Sequence, residues 1–589
     1  SALVIVAASL AFQRLQGVTV APPLSFWCWI PYRLEYGTDP AVRTNLLISG
    51  GVPAAFAVLV VGIMIAASFG RRRTLRAARP GQQPPKPIRA ASDTHGNADW
   101  MPMRDVRKAF SGPNPVYGGV VIGEAYRVDE DTVGKDRVPF DPRNPKTWGM
   151  GGKAPLLIDP CEEDATHGAV FAGSGGFKTT AVVIPTLAHW TGSVVAFDPS
   201  CQVGGMTEAM RRAMGHTVAF VGPGIGGFNV LDWIDPSDPL AETYVQEVID
   251  RIAGDTGGNA PGGARENEIF KVRGKEMMKC ILADLLWSDA PPEQKNLREF
   301  RKRVRTPEKK MKGFLADIHA NSRSQMASDL AGSLMDVFQE TFSGIYSNAN
   351  SDTEWLSIIP YAEMLSGNDF KTRDLIGGKL SVFVQIPMES LQATPALGRV
   401  VIGALLNAVY KADGKLVGRV LFLLDEVYFL GRLKVLETAR DAGRKYGITM
   451  IPMWQSVGQL MDTWGRNGKA AWFSSLSWRL FAVVDDMETA KEVSESCGRY
   501  TILTHTEGTS TGNNSGSGSG SRSTGRTFNT QEAGRDLLSP NEVRERLRKD
   551  EQIVFRRTSA PIRMGRAIFF RRPELVAQVG VDRFRKAAE

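Results

Sequence analysis

The chain has 589 residues, 43% of them hydrophobic and 23% charged, and a net charge of +8. That length exceeds what one hydrophobic core supports, so about two to four domains are expected, and the modest positive balance suits an anionic partner without requiring one. The five cysteines (28, 161, 201, 280 and 497) are scattered, odd in number and without metal-ligand spacing, which excludes a disulfide scaffold and a zinc site and points to a reducing compartment. Residues 1–12 (SALVIVAASLAF) read as the tail of a first membrane helix whose start lies before residue 1. Residues 14–45, with Trp27, Trp29 and Tyr32, then read as a short external, periplasmic loop whose aromatics suit a membrane interface. Residues 46–69 (LLISGGVPAAFAVLVVGIMIAASF) are nearly free of charge. As a helix they would span roughly 36 Å, enough to cross a bilayer. Arg71, Arg72, Arg73 and Arg76 follow, so the positive-inside rule predicts a membrane anchor over 1–70 with the rest of the chain in the cytoplasm.

Residues 71–97 are rich in Arg, Pro, Gln and Gly and read as a linker, opening an N-terminal cytoplasmic segment that runs to 164. A short strand-like run (GGVVIG) lies at 118–123. The apolar residues 169–171 then lead into AGSGGFKTT at 172–180. This is a phosphate-binding loop. Gly173, Gly175 and Gly176 let the backbone curl and aim its N–H groups at anionic oxygens. Gly173, Ser174, Gly175, Gly176, Phe177, Lys178, Thr179 and Thr180 would together cradle ATP, with Lys178 on the outer phosphates and Thr179 offering its hydroxyl to Mg²⁺. The usual pattern is G-x-x-x-x-G-K-[ST]; here Phe177 stands at the last glycine and Ala172 at the first.

Residues 193–197 (SVVAF) form a candidate buried strand ending at Asp198, within a first nucleotide-binding part over 165–234. Residues 235–365 change character: apolar residues recur at helical spacing over 270–287 and 325–342, and strand signals are few. This predicts an all-α insertion. The charge run 298–312 reads as a solvated helix face in preference to a DNA or protein contact. A second nucleotide-binding part over 366–589 follows, with buried strands at 380–386, 419–424 and 447–454. The third of these strands ends at Gln455, and the second at Asp425 and Glu426. Asp425 would orient the Mg²⁺ shell and Glu426 would polarise the attacking water. Such alternation predicts a parallel, doubly wound sheet whose ligands bind at the carboxyl ends of its strands. Residues 507–526 (EGTSTGNNSGSGSGSRSTGR) cannot bury a core and read as a flexible loop. The tail carries FRR at 555–557 and FFRR at 569–572, a sheet edge before a nucleic-acid surface.

An ordered series of elements resembles the type IV coupling proteins, the TraG/TraD-type ATPases of conjugation and type IV secretion. The series includes HGNADW at 95–100, VIPTL at 183–187 after the phosphate loop, FNVLD at 228–232 and LDE at 424–426. It continues with GRKYGI at 443–448, WQS at 454–456 and RDLLSPNEV at 535–543. Ser200 departs from it, where the family usually has Lys. The resemblance implies a RecA-like P-loop NTPase domain with the all-α insertion and N-terminal transmembrane helices, placed as a multi-pass protein in the bacterial inner membrane. It implies a homo-hexamer that receives a relaxase–DNA complex or effector proteins, contacts the type IV secretion channel subunits and drives single-stranded DNA or protein through. It also implies that Arg444 reaches a neighbour's nucleotide as an arginine finger and that Gln455 senses the γ-phosphate. Two rival readings remain: a double-stranded DNA pump of the FtsK type, and a docking receptor whose ATP site is structural.

Overall fold

The computed structural model describes residues 2–15, 29–35, 37–51, 53–55, 58–59, 87–162, 166–254, 265–514 and 521–580. The chain forms two compact units, 1–86 and 87–589. In the first, helices Ala2–Leu15 and Trp29–Glu35 are joined by the Trp29 amide donating to the Ser9 hydroxyl at 3.1 Å, and the Trp29 indole donates to the Ser49 hydroxyl at 3.1 Å, beyond both helices. Among the described residues no helix is long and apolar enough to cross a membrane. This overturns the expected multi-pass inner-membrane placement. Most of the second expected span, from residue 60 onward, and the linker to residue 86 lie outside the described residues.

The second unit is organised by an eleven-stranded sheet. From one edge, Thr217–Val221, Leu380–Val384, Val194–Phe197, Val420–Leu424, Ile448–Trp454, Gly168–Ala172 and Trp478–Ala482 run parallel. Strands such as VLFLL and ITMIPMW are buried at every position, as a sheet covered on both faces requires. The sheet is not parallel throughout, as the alternation of elements predicted. Beyond Trp478–Ala482 it continues antiparallel through Glu551–Arg556, Ile562–Gly565, Val120–Glu124 and Leu156–Asp159. The C-terminal FRR run therefore begins inside the sheet, and residues before the phosphate loop close its far side.

An antiparallel ribbon reaches into both ends of the segment read as a flexible loop, whose Ser/Gly core at 515–520 lies outside the described residues. Arg499–Asn514 pairs with Ser521–Asp536 from Arg499 opposite Asp536 to Asn514 opposite Ser521. A two-stranded ribbon satisfies half its backbone groups internally and needs no core, so a polar, threonine-rich sequence can adopt it. Ile88–Arg89 adds a third strand at its base.

Between the two halves of the sheet the chain is helical, from Ala241–Ala253 and Arg265–Trp287 to Ile359–Leu365. Asn296 and Ser324 cap helices by accepting from the amides of Glu299 and Ala327. Both ends of this region are fastened. Phe228–Asn229 pairs with Ser366–Asn368, and the Asp232 carboxylate accepts from the Thr372 amide at 3.0 Å and hydroxyl at 2.7 Å. Met277, Ile281, Phe300, Leu315 and Phe342 of the helices belong to the same continuous core as Phe197, Phe422 and Trp454 of the sheet. Residues of the 298–312 charge run pack helix on helix: Arg303 pairs with Asp284 at 2.8 Å and Arg301 donates to the Thr353 hydroxyl at 2.8 Å.

Candidate functional site

The strand Gly168–Ala172 delivers the chain to the carboxyl edge of the sheet, where residues 173–178 turn into the π-helical turn Thr179–Val183 and the helix Ile184–His189. The turn needs left-handed backbone at Gly175 (φ 65°) and Phe177 (φ 53°). Gly176 is required for a different reason: a Cβ there would lie 2.5 Å from the Gly173 carbonyl oxygen, which its own amide already engages at 2.9 Å. Ser174 is exposed at the tip, and the Thr180 hydroxyl donates to the Phe177 carbonyl at 3.3 Å. Phenylalanine at a left-handed position is unusual. Its ring is braced edge-on by Phe140 (centroids 5.9 Å apart) and Phe570 (6.2 Å). Neither partner was legible in the sequence, because both lie far from residue 177 along the chain.

Lys178 is buried and bridges the loop to the next functional strand. Its ammonium donates to the Ala172 carbonyl at 3.1 Å and to a Glu426 carboxylate oxygen at 2.9 Å. Asp425 and Glu426 follow Val420–Leu424, one strand removed from the loop's own, and Gln455 follows the intervening strand Ile448–Trp454. The Thr179 hydroxyl donates to Asp425 at 3.1 Å. Gln455 donates to both Glu426 oxygens at 3.2 and 3.3 Å. Glu426 itself holds φ 48°, ψ 45°, a left-handed conformation that costs about 1–3 kcal/mol in a non-glycine residue and persists only where surroundings enforce it. That turn folds the carboxylate back over Lys178 and Gln455.

Asp198 completes the acidic group. It is buried and fully engaged, accepting from the Ser200 hydroxyl at 2.6 Å, the Val203 amide at 2.8 Å and the Gln385 amide group at 3.1 Å. Gln385 was missed by sequence reasoning; its only signal was its position just after the strand Leu380–Val384.

Burial pushes the Asp425 carboxyl up to about 6, with Glu426 and Asp198 adding repulsion against the relief from Lys178 and Thr179. The folded value lies above the unfolded one, so the folded state holds this proton more tightly. Asp425's contribution to stability therefore falls as pH rises from about 4 to about 6, where the folded state alone holds the proton, and is level above that. Asp425→Asn, measured without nucleotide, should raise unfolding stability at pH 7 by about 2–3 kcal/mol and should lose the gain otherwise expected between pH 7 and 5. Thermal unfolding at the two pH values checks this; a variant less stable than wild type at pH 7 would contradict it.

The oxygen donors fit Mg²⁺. Thr179 and Asp425 present a hydroxyl and a carboxylate 3.1 Å apart, hard ligands of the kind this ion takes. Lys178 pairs with Glu426 and its charge relieves Asp425, which also feels the negative charge of Asp198. Among the described residues no group of three or more His, Cys, Asp or Glu side chains could hold a metal ion unaided, so water or phosphate oxygens would complete the shell.

Arg444 is not brought to this cluster. It is exposed in the turn Gly443–Tyr446, before the strand Ile448–Trp454, whereas Gln455 follows that strand's last residue. The strand has seven residues, about 23 Å at about 3.3 Å per residue. Among the described residues its guanidinium has no ion pair.

With the geometry in hand, comparison with known proteins is informative. The family model described as "Type IV secretory system Conjugative DNA transfer" matches residues 99–588. The conjugal transfer protein TraG of Rhizobium radiobacter is 40% identical, the match covering 99% of this chain and 86% of that protein. The type IV secretion system-coupling protein VirD4 of Bartonella quintana is 38% identical over 85% of this chain and 77% of its own. Among solved structures, the plasmid coupling protein TrwB in complex with the non-hydrolysable ATP analogue ADPNP shares the fold with a TM-score of 0.52 at 14% identity, over 84% of this chain and 96% of that one. On the extent of these matches, the chain belongs to the type IV secretion coupling-protein family of conjugative DNA transfer.

Proposed function

We propose that this coupling protein is a Mg²⁺-dependent ATPase that acts as a homo-hexamer and uses hydrolysis to pass a relaxase–DNA complex, single-stranded DNA or effector proteins to the type IV secretion channel subunits. The observation that carries the chemistry is the convergence of Lys178, Thr179, Asp425, Glu426 and Gln455 at adjacent strand ends. Residues 173–180 would hold the phosphates by backbone N–H groups, with the positive end of the following helix behind them. Thr179 and Asp425 would hold Mg²⁺, which supplies neutralisation of the β- and γ-phosphate oxygens.

The Lys178–Glu426 pair sets the order of events. The same ammonium cannot fully serve Glu426 and a triphosphate. Phosphate oxygens entering the loop compete for Lys178, and Glu426 is left with the Gln455 amide alone. A carboxylate relieved of its cation is a better proton acceptor, so Glu426 becomes able to take the proton of the attacking water as the triphosphate arrives. Gln455, already on Glu426, orients that carboxylate and faces the terminal phosphate. Arg444 would act on the nucleotide of the neighbouring subunit. Its exposure and its distance from its own loop support that assignment.

Hydrolysis by the purified protein, with and without single-stranded DNA, tests the reading. Glu426→Gln should bind ATP within about threefold of wild type yet hydrolyse it at least about 100-fold more slowly, the range a positioned proton acceptor supplies. Equal turnover in wild type and Glu426→Gln would remove the proposed base, and no turnover in wild type under any condition would favour a receptor with a structural nucleotide.

A further inference from the structure

The phosphate site has two flanks of opposite chemistry. On one lie Asp425, Glu426, Gln455 and, behind them, Asp198. On the other is a group of aromatic rings from three distant parts of the chain. The Phe177 ring meets Phe140 edge-on at 87° and Phe570 at 65°, and Phe570 meets Trp148 with centroids 6.2 Å apart at 57°. All four rings are half-buried. Phe140, Trp148 and Phe177 belong to none of the hydrophobic core clusters, so core packing does not account for them. The side on which they stand is fixed by Phe570. It borders a small cluster of Ile184, Met206, Phe569 and Leu575, and Ile184 opens the helix that follows the phosphate loop.

These rings are held from behind by buried charge. Arg571 is fully buried, pairs with Asp550 at 2.9 Å and Glu124 at 3.5 Å, and its guanidinium carbon lies 5.6 Å from the Phe140 centroid. Arg566 is also fully buried, donates to the Lys549 carbonyl at 3.1 Å, and stands 6.0 Å from the Phe177 centroid. Its Nε and Nη2 have no hydrogen-bond partner. The unused N–H groups and the nearby ring point to a guanidinium retained for its contact with the π face, a contact that grows stronger away from water. A rigid, half-exposed aromatic group beside a phosphate cradle, backed by cations, suits a flat aromatic ligand whose own π system stacks on it.

We propose that Phe177, Phe570 and Trp148, whose planes are inclined to one another, form an angled shelf in which the purine base of the nucleotide packs with its face on one ring and its edge against the next. The phosphate loop then carries one wall of the base site through the phenylalanine that stands where a glycine is usual. This rests on the reading of the loop as an ATP site and names the part of ATP that the loop's glycines do not recognise.

The test is calorimetric binding of Mg-ATP and of Mg-tripolyphosphate, which has the charge and no base, to the full chain. In Phe570→Ala and in Trp148→Ala, ATP affinity should fall about tenfold or more, the loss that removal of a base-stacking ring produces. Tripolyphosphate affinity should stay within about twofold, and Phe570→Tyr should restore ATP binding. Unchanged ATP affinity in both alanine variants would overturn the shelf. So would a parallel loss of tripolyphosphate, because the rings would then serve only to hold the loop. Failure of the wild-type protein to bind either ligand would overturn the ATP reading itself, and the shelf with it.

Discussion

Lys178→Ala is expected to abolish DNA transfer, lowering it by about 10³-fold or more, in a protein that still folds. Two losses combine in this one substitution. The outer phosphates lose the cation that meets their growing charge in the transition state. Glu426 loses its 2.9 Å ion pair, which leaves two adjacent carboxylates at the strand end without their cation. The second loss carries its own signature. Asp425 is pushed up to about 6 even with Lys178 present, and removing the ammonium should push it further. The variant should therefore bind ATP weakly and should lose stability more steeply above pH 6 than wild type. Mating assays with matched expression, together with unfolding at pH 6 and 8, check both halves. Full transfer by a well-expressed Lys178→Ala protein would remove the phosphate loop from the mechanism.

Arg444→Ala should cost about 10³–10⁵ in hydrolysis rate if it completes a neighbour's site. The expected result that distinguishes this from a local role comes from mixing. Arg444 sits before a seven-residue strand whose far end leads into Gln455, so within one chain it does not touch the cluster. A subunit carrying Arg444→Ala keeps its own Lys178, and one carrying Lys178→Ala keeps its own Arg444. Each is inactive alone. In the proposed ring, mixing would pair some intact loops with intact arginines, and hydrolysis should recover to a measurable fraction of wild type. Mixtures as inactive as either parent would place Arg444 outside the shared site.

The strand-end chemistry was legible because it rests on local rules. A run such as VLFLL followed by two acids has few physical solutions: the apolar residues must be buried, and the acids must emerge where the strand stops. Lys178, Thr179, Asp425, Glu426 and Gln455 meet as that logic predicts. Contacts between distant segments left no local trace. Nothing around residue 140 or residue 570 announces that both rings brace Phe177. The antiparallel half of the sheet was obscured for a similar reason, since its strands come from before the phosphate loop and from the C-terminus. The ribbon strands that flank residues 515–520 were not legible because composition reports on core burial, whereas a ribbon needs only paired backbones. The multi-pass placement rested on apolar runs, and among the described residues none of them forms a helix long and apolar enough to cross a membrane.

The unbroken core beneath the helices and the sheet has a mechanical meaning. Helix Ala396–Lys411 is buried along nearly its whole length, and it is tied to the first helix of the inserted region by Arg399 donating to the Arg251 carbonyl at 3.2 Å and Asn407 to Glu247 at 2.7 Å. Close-packed interiors are stiff and shift between discrete arrangements instead of yielding gradually. A load applied to the helices is therefore borne by the strands that carry the phosphate loop and Glu426, as a beam bears on its wall. Under the proposed function, a pull on cargo and a turnover of nucleotide would be felt by one stiff body.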